Sequence, residues 1–182
     1  HFIFNTLSAV QHWVDSGDPR GGPLLHSLTA FLRSSTEALG RDEVTLEEEA
    51  AMVRHYLAIM QARLGERLRV ELQLETGVAG QRLPPGLVLT LVENAVEHGI
   101  AASLAGGLVR VRCGAEGADC VVTVSDSAGM LAPDWLEGVG LSNCRERLAQ
   151  RFDGRGTLTL RHEGGCTVST MRLPLRQTDT RS

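Results

Sequence analysis

The chain has 182 residues, 42% of them hydrophobic and 22% charged, with a formal net charge of −4. That length gives one domain of ordinary size, or a small domain with an appendage, and a core that needs neither disulfide nor metal. The acidic balance argues against a broad basic face for nucleic acid or anionic lipid, and no apolar run approaches the roughly 20 residues that span a bilayer.

Residues 1 to 15 read as a helix, with Ile3, Leu7, Val10 and Val14 as one apolar seam and His1, Asn5, Ser8 and His12 on the polar side. "DSGDPRGGP" is a turn or loop. A second amphipathic helix places Leu24, Leu28, Phe31, Leu32, Ser35 and Leu39 on one side. Two such helices cannot bury their seams alone, so a helical hairpin pairing with a second copy as a four-helix bundle is expected. Thr45 and Glu48 then stand at capping-box spacing before a stripe of Leu46, Ala50, Val53, Leu57, Met60 and Leu64.

From residue 68 the pattern changes to period two. "LRVELQLE", "LVRVRC", "CVVTVS", "TLTLRH" and "CTVSTMRL" alternate as strands. A helix around 86 to 98, closed by Gly99, and another over about 142 to 152 lie between them. Hairpins mixed with helices predict an α+β sandwich, one face of the sheet covered by helices. The tail "RQTDTRS" is expected to be disordered. Cys113, Cys120, Cys144 and Cys166 lack zinc-site spacing and read as small buried residues in a reducing compartment. The chain opens at His1 without an initiator methionine or signal peptide, so further sequence, a membrane anchor included, is expected upstream.

The helix "LVENAVEHGI" carries a core face of Val88, Leu91, Val92, Ala95 and Val96 and gathers Thr90, Glu93, Asn94, Glu97 and His98 on the other side. A solvated face is the plain reading of such a group; three glycine-bearing turns nearer the C-terminus favour a site. In "GVGLSNCRERL", Gly138 and Gly140 precede a helix, where glycine permits close approach and free N–H groups attract an anion. The pattern is neither a Rossmann fingerprint nor a Walker A loop. Asp126 ends a strand before "SAGM"; there it could accept from an exocyclic amine such as that of adenine, or simply start a turn. "EGGCTV" is a turn from which Thr167 could reach the same pocket.

In this order, "LVENAVEHGI", "DSAGM", "GVGLSNCRERL" and "GGCTVSTMRLP" resemble the nucleotide-binding boxes of the Bergerat-type ATPase domain shared by histidine kinases, gyrase and MutL. "HFIFNTL", "LTAFLRSS" and "VTLEEEAAMVRHYLAIMQARLGERL" resemble the LytS-type family of bacterial sensor histidine kinases, and the likeness runs from His1 to about Pro174. It implies a dimerisation and phosphoacceptor hairpin over 1–43, an ATP-binding sandwich over 44–176 and a tail over 177–182. It also implies transfer of the γ-phosphoryl group of Mg·ATP to His1, then to a response-regulator aspartate, in a homodimer whose membrane attachment lies upstream. By the same resemblance Asn94 holds Mg²⁺, Glu93 is a base or supports one, and His98 approaches the phosphates. Asp126 reads adenine, Gly129 shapes the pocket floor, and Gly138, Gly140, Leu141 and Thr167 complete the ATP site. The resemblance also makes Arg145 and Arg147 candidate phosphate contacts, with surface ion pairing the favoured reading of Arg147. Asn5 orients His1 or positions a water, unless it is structural. Three departures stand out: "DSAGM" for the usual DxGxG, Glu97 where the family often has lysine, and a lid of only "MLAPDWLE". They keep open a nucleotide-binding module that switches shape or dimerisation without kinase turnover.

Overall fold

Two helices, α1 (Phe2–Asp15) and α2 (Gly21–Ala38), open the chain in the computed structural model, which describes residues 2–128 and 138–175. Their crossing is close: a Cβ added to Gly21 would lie 3.1 Å from Val14 Cγ2. In the turn, Arg20 pairs with Asp18 at 2.7 Å and lies 4.3 Å above the Trp13 ring. The single seam expected on α1 is split. Phe2, Thr6, Val10 and Trp13 face the rest of the chain, whereas Ile3, Phe4, Leu7 and Val14 are exposed at 40%, 75%, 43% and 56%. The helix is apolar on two sides because Phe2, Phe4 and Trp13 fall outside the regular three-and-four spacing. Leu39, expected on the buried side of α2, is 77% exposed beyond the helix end.

Strand β1 (Val44–Thr45) leads into α3 (Leu46–Leu64), whose start is the expected capping box. Thr45 Oγ1 accepts from the Glu48 N–H at 3.2 Å, and the Glu48 carboxylate accepts from the Thr45 N–H at 2.7 Å. Leu46, Ala50, Val53, Leu57 and Met60 are buried as the stripe predicts, but so are Glu49, Met52, Tyr56 and Ile59. The extra burial arises because α3 packs against α2 on one side and against the sheet-bearing half of the chain on the other. Tyr56 closes an aromatic triangle with Phe2 and Phe31, whose rings are 5.6 Å apart.

The strands β2 (Leu68–Leu74), β4 (Gly107–Glu116), β5 (Asp119–Asp126), β7 (Cys166–Pro174) and β6 (Thr157–Glu163) form one mixed sheet in the order β2-β4-β5-β7-β6. β4–β5, β5–β7 and β6–β7 are antiparallel, as the hairpin reading expects. β2 instead runs parallel to β4, because the chain between them makes a crossover. That crossover contains β3 (Arg82–Leu83), paired with β1, and helix α4 (Leu87–Asn94). With α5 (Val139–Arg151), α4 covers one face of the sheet. Val109, Val111, Val122, Val124, Met171 and Leu173 meet Leu87, Leu91, Val92, Leu141 and Leu148 in a continuous buried core. The other sheet face is polar, with cross-strand pairs such as Arg110–Glu71 at 2.5 Å and Arg172–Glu116 at 2.6 Å. This is the α+β sandwich expected from the strand and helix order. Residues 176–182, expected to be a disordered tail, lie outside the described residues.

The start of α4 is held by Glu49, which is fully buried on α3. Its carboxylate accepts from the N–H groups of Gly86, of Val88 at 3.0 Å and of Leu89 at 3.4 Å. Gly86 adopts φ +81°, a left-handed conformation suited to glycine, so that its N–H can join this set. Burial pushes the Glu49 carboxyl up, while the three N–H groups and the charge of Arg147 hold it down. Arg147 is therefore not the surface ion pair its sequence context suggests: from α5 it donates to the Pro85 carbonyl at 2.8 Å, just ahead of α4. Replacing Glu49 with alanine strands buried N–H groups at a helix start, so we expect Glu49→Ala to lower stability by about 3 kcal/mol. Urea unfolding monitored by circular dichroism checks this.

Candidate active site

The helix expected to close at Gly99 does not close there. α4 passes into a π-helical segment, Ala95–Ile100, whose end is marked by the Ala101 N–H bonded to the Val96 carbonyl at 2.8 Å. Gly99 lies inside this segment for a steric reason. A Cβ there would fall 2.5 Å from Oδ1 of Asp126 and 2.6 Å from its Cγ. The glycine is the space into which the carboxyl group fits. Wider π-turns of this kind recur at functional sites, where they let side chains depart from α-helical phase.

Asp126 is the last residue of β5, only 3% exposed, and its Oδ1 accepts from the Ala128 N–H at 3.1 Å. Ser127 fixes the strand end: its Oγ accepts from the Leu108 N–H at 2.8 Å, and its own N–H donates to the Leu108 carbonyl at 3.0 Å. The sheet register sets Thr167 of β7 directly opposite Asp126, so the two side chains stand on the same face.

One cleft collects these groups. Asn94, Ala95, His98 and Gly99 form its helical wall, Asp126 and Thr167 its strand-end floor, and Val124, Leu141, Leu160 and Ser169 its deeper lining. Asn94 donates through Nδ2 to the Thr90 carbonyl at 2.7 Å, which leaves its amide oxygen as the end presented to a ligand. α5 begins at the cleft through Leu141, and among the described residues no side chain caps its first turn. The first N–H groups of a helix have no partner within the helix, and with the positive dipole end they suit an anion. Gly140 permits the close approach of α5 to α4, since a Cβ there would meet Thr90 Cγ2 at 3.3 Å. Gly138 caps the helix with ordinary φ −71° and open space around it, so its chain conformation does not demand glycine.

Glu93 lies outside the cleft lining. It is half-buried, and burial first, then the charge of Glu97, raises its carboxyl to about 6. Such a group is ionised at neutral pH yet basic enough to take a proton. Glu97 and His98 are exposed.

Five of the residues expected to form the ATP site, Asn94, His98, Asp126, Leu141 and Thr167, thus line one cleft. Gly138, Gly140 and Glu93 flank it, and Asn5 is exposed on α1 outside its lining. His1, Gly129 and the "MLAPDWLE" lid lie outside the described residues. Reasoning from sequence misses Gly99 and Ser169 as site residues. Ser169 stands two residues after Thr167 on an alternating strand, and that period alone points it to the same face. The role of Gly99 has no local signature.

Comparison with known proteins bears on this geometry. Residues 86–177 match the family of histidine kinase-, DNA gyrase B-, and HSP90-like ATPases, and residues 1–68 match the histidine kinase family. The chain is 30% identical over 178 residues to the sensor histidine kinase BtsS of Escherichia coli (strain K12), a match covering 97% of this chain and 32% of that protein. It is 26% identical over 163 residues to the sensor protein LytS of Staphylococcus saprophyticus, covering 85% of this chain and 28% of that one. The chain so spans about a third of the length of the curated relatives it matches. Among solved structures it is similar to histidine kinase ThkA in complex with response regulator protein TrrA, with a TM-score of 0.53 at 16% identity over 96% of this chain and 59% of that one. That likeness shows the fold.

The geometry generates two predictions. Gly99→Ala forces the Asp126 carboxyl out of its seat, and we expect at least about a tenfold loss of ATP affinity by titration calorimetry, equivalent to one displaced charged hydrogen-bond partner. For Glu93 the folded-state carboxyl is raised to about 6 from 4.5, so its ionisation opposes folding as pH climbs through that interval. We expect Glu93→Gln to gain up to about 2 kcal/mol of stability at pH 7 and to lose that gain below about pH 4.5, as read by melting across pH.

Proposed function

This chain belongs to the family of histidine kinase-, DNA gyrase B-, and HSP90-like ATPases, and we propose that it is the catalytic core of a two-component sensor histidine kinase. In this reading it transfers the γ-phosphoryl group of Mg·ATP to His1 and from there to an aspartate of a response regulator. The observation that carries the reading is the buried Asp126 carboxylate, seated on Gly99 and opening onto the same cleft as Asn94. A buried acceptor at a cleft floor suits the exocyclic amine of adenine, and Val124, Leu141 and Leu160 supply apolar surface for the base.

The residues present fit a hard cation beside a triphosphate. Asn94 offers a neutral oxygen while its nitrogen is engaged with Thr90, and Mg²⁺ takes few protein oxygens, with substrate phosphates and water supplying the rest of its ligands. When bound, the cation would supply positive charge against the negative charge that develops on the phosphates during transfer. His98 and Leu141, in the first turn of α5, line the cleft, and in this reading they lie toward the phosphates. In this reading His1 acts as nucleophile through a neutral imidazole. Glu93, ionised at neutral pH, holds or accepts the imidazole proton as the phosphoryl group arrives. Asn5, one helical turn along α1, orients His1.

We divide the chain into a dimerisation and phosphoacceptor hairpin over 1–43 and a catalytic domain over 44–176. The outer face of α1, with Ile3, Phe4, Leu7 and Val14, joined by Leu25 of α2 at 45% exposure, is an apolar patch suited to a second copy. The homodimer would bring two hairpins into a four-helix bundle. The ThkA–TrrA complex supports a response regulator as the receiving partner. Among the described residues no helix is long and apolar enough to cross a membrane; anchoring at the inner membrane would come from sequence beyond this chain.

The test is incubation with Mg²⁺ and γ-labelled ATP of the wild type, His1→Gln and Asn94→Ala. We expect an acid-labile, base-stable label on the wild type, and at least about a hundredfold less on both variants, the scale of losing the acceptor or a principal electrostatic contact. ATP binding by the wild type without labelling would replace this reading with a nucleotide-driven switch, consistent with Ala128 in "DSAGM" and Glu97 beside His98.

A further inference from the structure

The register sets Ser169 of β7 between Val124 of β5 and Leu160 of β6, one step deeper than the facing pair Asp126 and Thr167. Residues two apart on a strand share a face, so both rows point to the helix-covered side of the sheet. The next row inward, Val122, Met171 and Leu158, is buried and apolar. Ser169 is thus the polar member of an apolar row, and it is 5% exposed. Of the other buried polar side chains among the described residues, Thr6, Glu49, Gln81 and Asp126 each make a hydrogen bond. The Ser169 hydroxyl makes none among the described residues. It is not sealed off either, because the partnerless side-chain atoms closed to solvent there are those of Tyr56 and Arg67. The opening it keeps is the cleft, which Ser169 lines. Alanine or valine would complete this row with no polar group to satisfy, so packing does not account for the O–H.

We propose that Ser169 is a specificity-determining residue for the base: its hydroxyl forms a polar subsite that takes an amino group at C2 of a purine whose 6-amino group is held by Asp126. The inference rests on the reading of the cleft as an ATP site and deepens it by naming which purines the cleft prefers. A nucleotide carries its sugar on the five-membered ring of the base. With the phosphates at Asn94, the six-membered ring therefore leads into the cleft. C2 lies on that leading edge, one ring nitrogen away from the carbon that bears the amine. On the protein, Asp126 and Ser169 are diagonal neighbours of an antiparallel pair. Such neighbours lie about 7–8 Å apart at Cα, near enough for two groups on one ring to reach both side chains. Their chemistry differs in a useful way: a carboxylate only accepts and selects an amine, whereas a hydroxyl both donates and accepts. In ATP, C2 bears only hydrogen, which leaves the hydroxyl to water. Guanine carries the 2-amino group but sets its 6-oxygen against Asp126, acceptor against acceptor. The preference therefore runs from 2,6-diaminopurine through adenine to guanine.

The experiment is titration calorimetry of the wild type, Ser169→Ala and Ser169→Val with ATP and with 2,6-diaminopurine riboside triphosphate, Mg²⁺ present throughout. The readout is the ratio of the two dissociation constants within each protein, so a general change in the cleft or in stability cancels. We expect the wild type to bind the diamino nucleotide about fivefold more tightly than ATP, the scale of one hydrogen bond. Ser169→Ala removes the partner but keeps the room, and its ratio should fall to about one. Ser169→Val should favour ATP by at least about tenfold, because the 2-amino group then meets methyl groups and no acceptor. The same ratio in all three proteins would overturn the proposal, as would a wild type that prefers ATP. Phosphoryl labelling of the same proteins separates this outcome from the kinase reading. Ratios that shift as expected without any label uphold the subsite and remove the kinase reading. A wild type that binds neither nucleotide overturns both.

Discussion

The arrangement of the site hangs on a carboxylate that never meets solvent. Glu49 holds the first N–H groups of α4 from a neighbouring helix, and Arg147 holds the chain just before them from a third. A helix start has N–H groups without partners inside the helix, and here they are satisfied by an anion fixed on α3 rather than by a local cap. The helix that presents Asn94 and His98 is thereby given an origin and a direction. Everything at the cleft is measured from that origin, including the seat that Gly99 offers to Asp126 and the approach of α5 through Gly140.

Much of this is legible in the sequence, and the parts that are not share a physical reason. The capping box at Thr45 and Glu48 is local, and so is the alternation that marks the long strands; both are present in the fold. The two-residue strands β1 and β3 are too short to show any period, and the parallel pairing of β2 depends on a crossover rather than on a pattern within the strand. On α1 the step of four and three picks out one seam, but large aromatic residues off that seam decide which side is buried. Glu49 hides inside "LEEEA", which reads as a charged helix start. Its phase between Leu46 and Val53 is the one local sign that it faces inward. At the site, Asn94, Asp126 and Thr167 can be set together by resemblance and strand register, whereas Gly99 cannot. Its requirement comes from a side chain far along the chain, and a glycine near a helix end usually reads as a stop.

The charges near the site point two ways. Asp126 is buried beside polar backbone and a facing threonine, an acceptor held ready. Glu93 and Glu97 repel one another one helical turn apart, and the half-buried member is the one whose carboxyl is raised. A structure optimised only for stability would not keep that pair. The pair stands where α4 passes into its π-helical segment, beside the cleft that Asn94 and His98 line.

The π-helical turn has a consequence for how such a site can vary. An α-helix is a rigid ruler, so moving one residue rotates every residue after it. With a wider turn inserted after Asn94, the helix is divided into two lengths with independent phase. The first is indexed by Glu49 on α3 and sets Glu93 and Asn94; the second is indexed by the contact of Gly99 with Asp126 and sets His98. Substitution after the turn can alter reach or charge while the residues ahead of the turn keep their bearing. The same helix can accordingly serve chains that differ in how tightly they hold their ligand without any change in the scaffold that orients the chemistry.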